Sequence, residues 1–546
     1  MKGRILMAKE DKTGKFEFKT KDMVRERVIH KVLERQVAEY GNREFLYFKD
    51  EKFGYRDLDQ YSNKIACGFQ KLGISKGNKV AIMLNNCPEF IFLLFGLSKL
   101  GAIEVPINTA HKGDLLIYML DQSDSRVLVM DSEFLERVEP VLHALPKLET
   151  LVILGSEKMP NLPKSTISWS QIIDNNGAYE AVEVLWSDPY CILYTSGTTG
   201  PSKGVMSPQN FAIRMGEICW EAAEYNIDDC LYTALPLFHG NAQQLSLIPA
   251  LMSGARMALA ERFSAGKFWD DIRRYGCTEA NTVGGIIPIL YKADPKPNDA
   301  DNPLRVMLTA AAPKDIWESF EKRFEVTLVE IYGMTEIGLP LMSNIRERKA
   351  GSCGKPRYCD VRVVDENRRD VGPHTVGELL VRPRKDYAML LEYYNMPDKT
   401  VEAWRDLWFY TGDYFYYDED GYFYFVDRKK DALRRRGENI SSYEVEKVVN
   451  SHPSVLESTA VAVKSPLGED EVMICLVLKQ GHTLLPEELI AYCEDRMAYF
   501  MVPRYVRFMD AFPKTPTERV QKHKLREEGI TSDTWDREAA GYKLKR

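Results

Sequence analysis

The run Tyr194-Thr195-Ser196-Gly197-Thr198-Thr199-Gly200-Pro201-Ser202-Lys203-Gly204 holds the densest chemistry in this chain. Its glycines let the backbone turn tightly and aim N–H groups at one bound anion. Thr195, Ser196, Thr198, Thr199 and Ser202 add hydroxyl donors, and Lys203 adds a full positive charge. That combination grips a polyphosphate. The common nucleotide loop has Gly-x4-Gly-Lys-Ser/Thr at a strand-to-helix junction. Here Pro201 and Ser202 separate Gly200 from Lys203, and a glycine follows the lysine. Cys191–Tyr194 reads as a strand entering the loop and Val205-Met206 as a strand leaving it, before Ser207-Pro208 opens a helix. A plain Ser/Thr/Gly connector would explain the composition, but not this order of glycines closing on Lys-Gly.

Other segments carry compatible groups. In Glu330-Ile331-Tyr332-Gly333-Met334-Thr335-Glu336, an exposed Tyr332 would stack on a purine, Thr335 would donate to a phosphate, and Glu336 would hold Mg²⁺ through oxygen. Tyr410-Thr411-Gly412-Asp413 ends a strand in an aspartate suited to both hydroxyls of a ribose. Leu235-Pro236-Leu237-Phe238-His239-Gly240 offers a histidine that reads equally as a pocket wall or as a core or capping residue. Thr309-Ala310-Ala311-Ala312-Pro313 is a small-residue loop. Arg428-Lys429-Lys430-Asp431 precedes Arg434-Arg435-Arg436-Gly437-Glu438-Asn439-Ile440, a basic run that alone would suit a solvated face or an RNA patch.

In this order, from about residue 25 to about residue 530, the segments resemble the AMP-forming adenylating superfamily of acyl-CoA synthetases, peptide-synthetase adenylation domains and beetle luciferases. The resemblance implies ATP, Mg²⁺ and CoA as the small-molecule partners of a carboxylic acid. It assigns Lys203 and the Thr195–Gly200 backbone to the outer phosphates, and Thr335 to the α-phosphate. It makes Glu336 the Mg²⁺ carboxylate and Asp413 the ribose acceptor, and it counts Arg428, in the hinge motif, among the nucleotide-binding residues. Ala311, Ala312, Pro313 and the Glu330–Met334 stretch would flank the nucleotide. Lys430 falls at the pivot between domains, and Arg434, Gly437 and Glu438 fall on the loop that enters for the thioester step. Trp220, His239, Gly284 and Gly285 are candidate walls for the acyl group; a quaternary ammonium would favour an aromatic face such as Trp220. Glu438-Asn439-Ile440, and Cys493–Ala498 running into Val502-Pro503, look most like the branch containing carnitine/crotonobetaine–CoA ligases.

One segment departs from the family. Its usual Pro-x-Thr-x-x-Gly-Lys ends in a lysine that reaches the carboxylate and α-phosphate. Here Pro513-Lys514-Thr515-Pro516-Thr517-Glu518-Arg519 puts Glu518 at the glycine and Arg519 at the lysine. Arginine keeps the charge but is bulkier. Either Arg519 performs the usual task while Glu518 pairs with Lys514 or Lys522, or adenylation is slow and mainly the thioester-forming half remains. The expected activity is thus an acid–CoA ligase. The rivals are an enzyme that loads a carrier-protein thiol, a nucleotide-binding paralogue with impaired catalysis, and a luciferase-like oxygenase.

The elements that must position these residues follow from pattern. The chain has 546 residues, 45% hydrophobic and 28% charged, with a net charge of −7. That balance argues against a general nucleic-acid binder. Its ten cysteines show no CxxC spacing and read as reduced, buried thiols, so a soluble cytoplasmic protein is expected. The apolar stretch Phe90–Leu97 is too short to span a bilayer. Whether two copies pair is left open. Helix and strand patterns alternate from residue 26 to about 340, which predicts largely parallel sheets covered on both faces. Phe53–Leu58 reads as a strand running into a helix over Tyr61–Leu72. Aromatic strands with glycine turns over 350–426 suggest a distorted β-barrel, and the rest a compact α+β unit. The predicted fold is α/β: a large N-terminal domain of layered α/β subdomains plus a barrel (residues 1–429), and a small mobile α+β C-terminal domain (430–546) hinged near Lys430.

Overall fold

The computed structural model describes residues 26–195, 201–283, 286–310, 312, 314–428, 432–435, 438–464, 470–513, 520 and 522–545. Two large sheets dominate them. The first runs in space Glu392–Tyr393, Lys203–Pro208, Pro189–Thr195, Ile103–Pro106, Lys79–Met83, Val127–Asp131, Thr150–Leu154, Ser165–Ser168. The second runs Lys355–Pro356, Gly338–Met342, Thr327–Met334, Val306–Thr309, Glu279–Asn281, Cys230–Thr233, Arg256–Leu259, Glu44–Phe48, Glu51–Gly54. The middle strands of both pair in parallel. Strands such as Ile103–Pro106 and Cys230–Thr233 are buried at every position, as a sheet covered on both faces requires.

The helix Pro88–Leu100 shows how sequence dictates place. Proline opens its first turn, Gly101 closes it at φ 62°, and nearly every side chain between is buried. A helix apolar all round belongs in a core. Its one ammonium, Lys99, is buried against Asp59 and Asn63. No helix among the described residues is long and apolar enough to cross a membrane. All ten cysteines are free thiols.

A third, antiparallel sheet joins Cys359–Val364, Gly377–Pro383, Trp408–Tyr417, Trp404–Arg405 and Phe423–Arg428, forming a half-barrel where the aromatic texture predicted a distorted barrel. The smaller C-terminal domain starts with a hairpin, Ala432–Arg435 and Glu438–Ser441, followed by the helix Ser442–Asn450. Its sheet orders Val455–Lys464, Asp470–Leu478, Tyr505–Phe508, Trp535–Asp536. Alternation along Asp470–Leu478 sends Val472, Ile474 and Leu476 to one face and Met473, Cys475 and Val477 to the other. The first face packs with Leu115 and Ala110 of the large domain.

One local expectation is corrected. The strand ends at Gly54 and the helix spans Tyr55–Lys71, one and a half turns earlier than the pattern suggests. The Asp57 carboxylate accepts the Gly54 N–H at 2.7 Å, a terminal cap that starts the helix at Tyr55.

Candidate active site

The strand-loop-strand reading holds. Pro189–Thr195 and Lys203–Pro208 pair antiparallel, with Thr195 opposite Lys203. The glycine-rich tip, Ser196, Gly197, Thr198, Thr199 and Gly200, lies outside the described residues. Thr195, Pro201, Ser202 and Lys203 open onto a cavity of about 2260 Å³ between the large sheets, the half-barrel and the C-terminal domain. The short strand Glu392–Tyr393 adds to the Lys203 strand and sets Tyr393 opposite Val205. The Lys203 ammonium thereby rests 4.1 Å from the centre of the Tyr393 ring. The Tyr393 hydroxyl donates to Glu336 Oε1 at 2.9 Å. Burial, then the Glu336 carboxylate, push that phenol far above its ordinary range, so it stays a neutral donor.

Glu336 and Thr335 follow the strand Thr327–Met334, which turns back into Gly338–Met342. Gly338 sits at φ 64°, and a side chain at Gly333 would strike the Gly338 carbonyl; both glycines are demanded by this hairpin. Ile331, Gly333, Met334, Thr335 and Glu336 all line the cavity. Glu336 is 4% exposed, a buried carboxylate on a polar wall. One such carboxylate with a neighbouring hydroxyl fits Mg²⁺, which keeps waters and takes phosphate oxygens.

Tyr332 is placed otherwise than expected. It is buried, edge-on to Phe415 with centroids 4.7 Å apart, and its hydroxyl donates to Asp413 Oδ2 at 2.7 Å. The phenol thus fixes the aspartate, and Asp413 lines the cavity. Glu330 too is buried, accepting the Ala312 N–H at 3.1 Å and so pinning the small-residue loop. Ala310 lines the cavity, while Ala311 and Pro313 lie outside the described residues. Arg428 stands in register with Asp413 across the half-barrel strands.

Trp220 does not line the cavity. Its indole N–H donates to the Tyr225 carbonyl at 2.9 Å, and the ring is core. The wall is supplied instead by Met215 on the same helix, with Asn241, Gln244 and Leu245 after His239 and with Val283; Gly284 and Gly285 lie outside the described residues. The Asn241 amide oxygen accepts from Asn281, and the Gln244 amide donates to the Tyr190 hydroxyl at 2.8 Å.

The C-terminal domain reaches the same cavity. Glu438, at the start of its hairpin strand, meets His239 Nε2 at 2.7 Å and accepts from Asn108 at 3.4 Å. Glu444, on the helix that follows, accepts from the Ser202 hydroxyl beside Lys203. Burial raises the Glu444 carboxyl to about 7. His111 lines the cavity nearby, and burial lowers it to about 4, so it is neutral. Arg434 pairs with Asn439 inside the hairpin. Lys430, Gly437 and Arg519 lie outside the described residues. Phe512 and Val520, which flank the Arg519 segment, pack with Val461, Met473 and Leu525 on the face of the small sheet turned away from Leu115. Lys522 bonds Glu446 at 2.6 Å and the Ser442 hydroxyl at 2.8 Å.

The chain is similar to known proteins of one family over most of its length. The AMP-binding enzyme family matches residues 33–394, and the AMP-binding enzyme C-terminal domain matches residues 444–519. A crotonobetaine/carnitine–CoA ligase of Salmonella typhimurium is 31% identical over 500 residues, covering 89% of this chain and 96% of the relative. The same ligase of Salmonella typhi is 31% identical over 503 residues, with the same coverage. Among solved structures, the Mycobacterium tuberculosis fatty acyl CoA synthetase is 26% identical, with a TM-score of 0.65, over 92% of this chain and 99% of that one. The o-succinylbenzoate CoA synthetase of Bacillus subtilis shares the fold at a TM-score of 0.79 and 24% identity, over 91% and 98% of the two chains. The chain therefore belongs to the AMP-binding enzyme family, as an AMP-forming acid–thiol ligase of the acyl-CoA synthetase kind.

Proposed function

We propose that this chain activates a carboxylic acid as acyl-AMP, releasing pyrophosphate, and then transfers the acyl group to the thiol of CoA. One observation carries the reading: Lys203, Thr335, Glu336 and Asp413 share a single cavity with the His239–Glu438 contact between domains. In the first step the acid's carboxylate attacks the α-phosphorus of ATP. Lys203 and the loop before it neutralise the outer phosphates, Asp413 holds the ribose, and Thr335 donates toward the α-phosphate. Glu336 and Thr335 would hold Mg²⁺, which supplies positive charge to the phosphate oxygens. Arg519 takes the lysine's place, its planar fork bridging carboxylate and phosphate oxygens. Positioning and charge neutralisation supply most of such catalysis.

In the second step the C-terminal domain, pivoting at Lys430, exchanges the Arg519 segment for the Glu438 hairpin. The contact of Glu438 with His239 supports assigning the arrangement described above to that second step. Glu438 and Asn108 there orient His239 beside the path of the incoming thiol, which attacks the acyl carbonyl and expels AMP. One cavity thus serves two reactions.

Pyrophosphate release by the purified chain, measured over a panel of acids with either CoA or a carrier protein as acceptor, tests the reading. Acid-dependent release with thioester formed on free CoA is expected; thioester on the carrier protein alone would replace CoA as the acceptor. Arg519→Ala should lower acyl-AMP formation at least a hundredfold (removal of one transition-state donor costs about 10²–10³) and spare CoA transfer from supplied acyl-AMP. An unchanged first half-reaction would remove Arg519 from the mechanism.

A further inference from the structure

Resting on that two-step reading, we infer that Arg537 is a positioning residue for the thioester step. With Arg435 it shapes the loop Tyr499–Met501 into a wall of the cavity, beside the path that the thiol arm of CoA would take. The segment that carries it, 535–545, lies beyond residue 519, where the match to the C-terminal domain family ends. After the helix Pro486–Glu494 the backbone leaves regular structure until the strand Tyr505–Phe508. Carbonyls in such a stretch have no ladder to join, so each buried one needs a donor from elsewhere. Two guanidiniums supply them. Arg435 Nη1 donates to the carbonyls of Phe500 at 3.1 Å and Val502 at 3.0 Å, and Arg537 Nη1 donates to those of Val502 at 3.3 Å and Pro503 at 3.1 Å. Both arginines are buried. A charge leaves water only where several polar groups receive it. Here those groups are main-chain oxygens of one loop, with the Glu471 carboxylate also 2.7 Å from Arg435.

The loop so shaped faces the site. Tyr499, Phe500 and Met501 all line the cavity. The Phe500 ring lies 6.3 Å from that of His111 in the large domain, centre to centre, and Phe500, Met501 and Val502 share one apolar cluster with Leu115. Arg435 also stands opposite Glu438 in its hairpin, and Glu438 is the residue that meets His239 and Asn108. One guanidinium therefore couples two parts of the small domain that touch the large one at the cavity. Arg537 is itself held from both sides. Before it, Trp535–Asp536 pairs antiparallel with Tyr505–Phe508, and the Asp536 carboxylate accepts two bonds from Arg504 at 3.1 and 3.0 Å. After it, the Tyr542 hydroxyl and the Lys545 N–H both donate to Glu494, at 3.0 and 2.8 Å. The strand thus fixes the arginine, the arginine fixes the loop, and the loop reaches the cavity when the small domain docks in this orientation. Phe512 and Val520, which flank the Arg519 segment, lie on the other face of the small sheet, so the first half-reaction does not call on this wall.

The test separates the half-reactions in the full chain. ATP–pyrophosphate exchange is measured with the acid that gives the fastest pyrophosphate release, and thioester formation from that acid's acyl-AMP is measured over a range of CoA. Arg537→Ala should lower kcat/KM for CoA by about tenfold or more, since it removes charge-assisted bonds to the loop, and leave exchange unchanged. Arg537→Lys keeps the charge without the planar fork and should fall between the two. Tyr499→Ala reads the loop with the arginine intact. Tyr499 is 42% exposed, so its loss leaves the core whole; it should raise the KM for CoA with exchange unchanged. A parallel fall of both half-reactions in Arg537→Ala and Arg537→Lys, or no fall in either, would overturn the inference and leave the arginine with the fold alone. An unmoved KM in Tyr499→Ala would overturn it too, by taking the loop off the path of CoA. Each of these results leaves the ligase reading standing, whereas a wild-type chain that releases no pyrophosphate with any acid would overturn both.

Discussion

Tyr393 joins the two charges that a magnesium–triphosphate complex would need. Its ring supports the Lys203 ammonium, and its hydroxyl fixes the Glu336 carboxylate. A hydrogen bond to a charged group contributes about 1.5–3 kcal/mol. Tyr393→Phe should accordingly lower kcat/KM for ATP in acyl-AMP formation by about tenfold or more, and leave thioester formation from supplied acyl-AMP unchanged. ATP–pyrophosphate exchange measures the first, and unaltered exchange would reduce the tyrosine to packing. Nothing in Glu392-Tyr393-Tyr394-Asn395 advertises this role, because it arises from a two-residue strand pairing across nearly two hundred positions. That Lys203, Thr335, Glu336 and Asp413 gather about one cavity was legible, since their types and order suggested a common ligand. Trp220 misled for a related reason. Helical spacing puts Met215 and Trp220 on one element, but only tertiary contact decides which of them faces the cavity and which the core.

The helix Ser442–Asn450 brings Glu444 onto Ser202, with Tyr118 and Lys447 among the titratable groups near it. Docked, this carboxyl keeps its proton up to about pH 7; undocked in water it would lose it in the ordinary carboxylate range. The docked state therefore binds more protons, and docking weakens as pH rises from about 5 to about 7. Thioester formation from supplied acyl-AMP, expressed as the ratio of the wild type to Glu444→Gln, should decline across that window. The ratio cancels the rising ionisation of the CoA thiol itself. A flat ratio would detach Glu444 from the docking equilibrium. A compact α+β unit was readable from pattern, yet the surface this helix meets was not, since no periodicity in one domain states which surface of another it will meet. The early start of helix Tyr55–Lys71 was missed on a smaller scale, where the Asp57 side chain outweighed the β-like run before it.

At the scale of the molecule, the alternating pattern correctly indicated stacked parallel sheets, a half-barrel and a small α+β domain, because two-sided burial writes itself as continuous apolar strands. The orientation between domains left no such trace. Among the described residues it involves Glu438 with His239 and Glu444 with Ser202, together with the apolar patch at Leu115. Binding of ATP should shift that orientation. Limited proteolysis at the basic stretch 428–431 should change its rate when ATP and Mg²⁺ are added, and Glu438→Ala should alter that rate without nucleotide. Identical rates in all cases would mean that the two domains move as one.

The Ser202–Glu444 contact sits beside the lysine proposed to hold the outer phosphates. A carboxyl arriving there repels a bound polyphosphate once it ionises, and linkage makes the antagonism mutual. Above about pH 7, retention of a polyphosphate and inward seating of the small domain would then oppose each other, a ratchet tooth set between the two half-reactions.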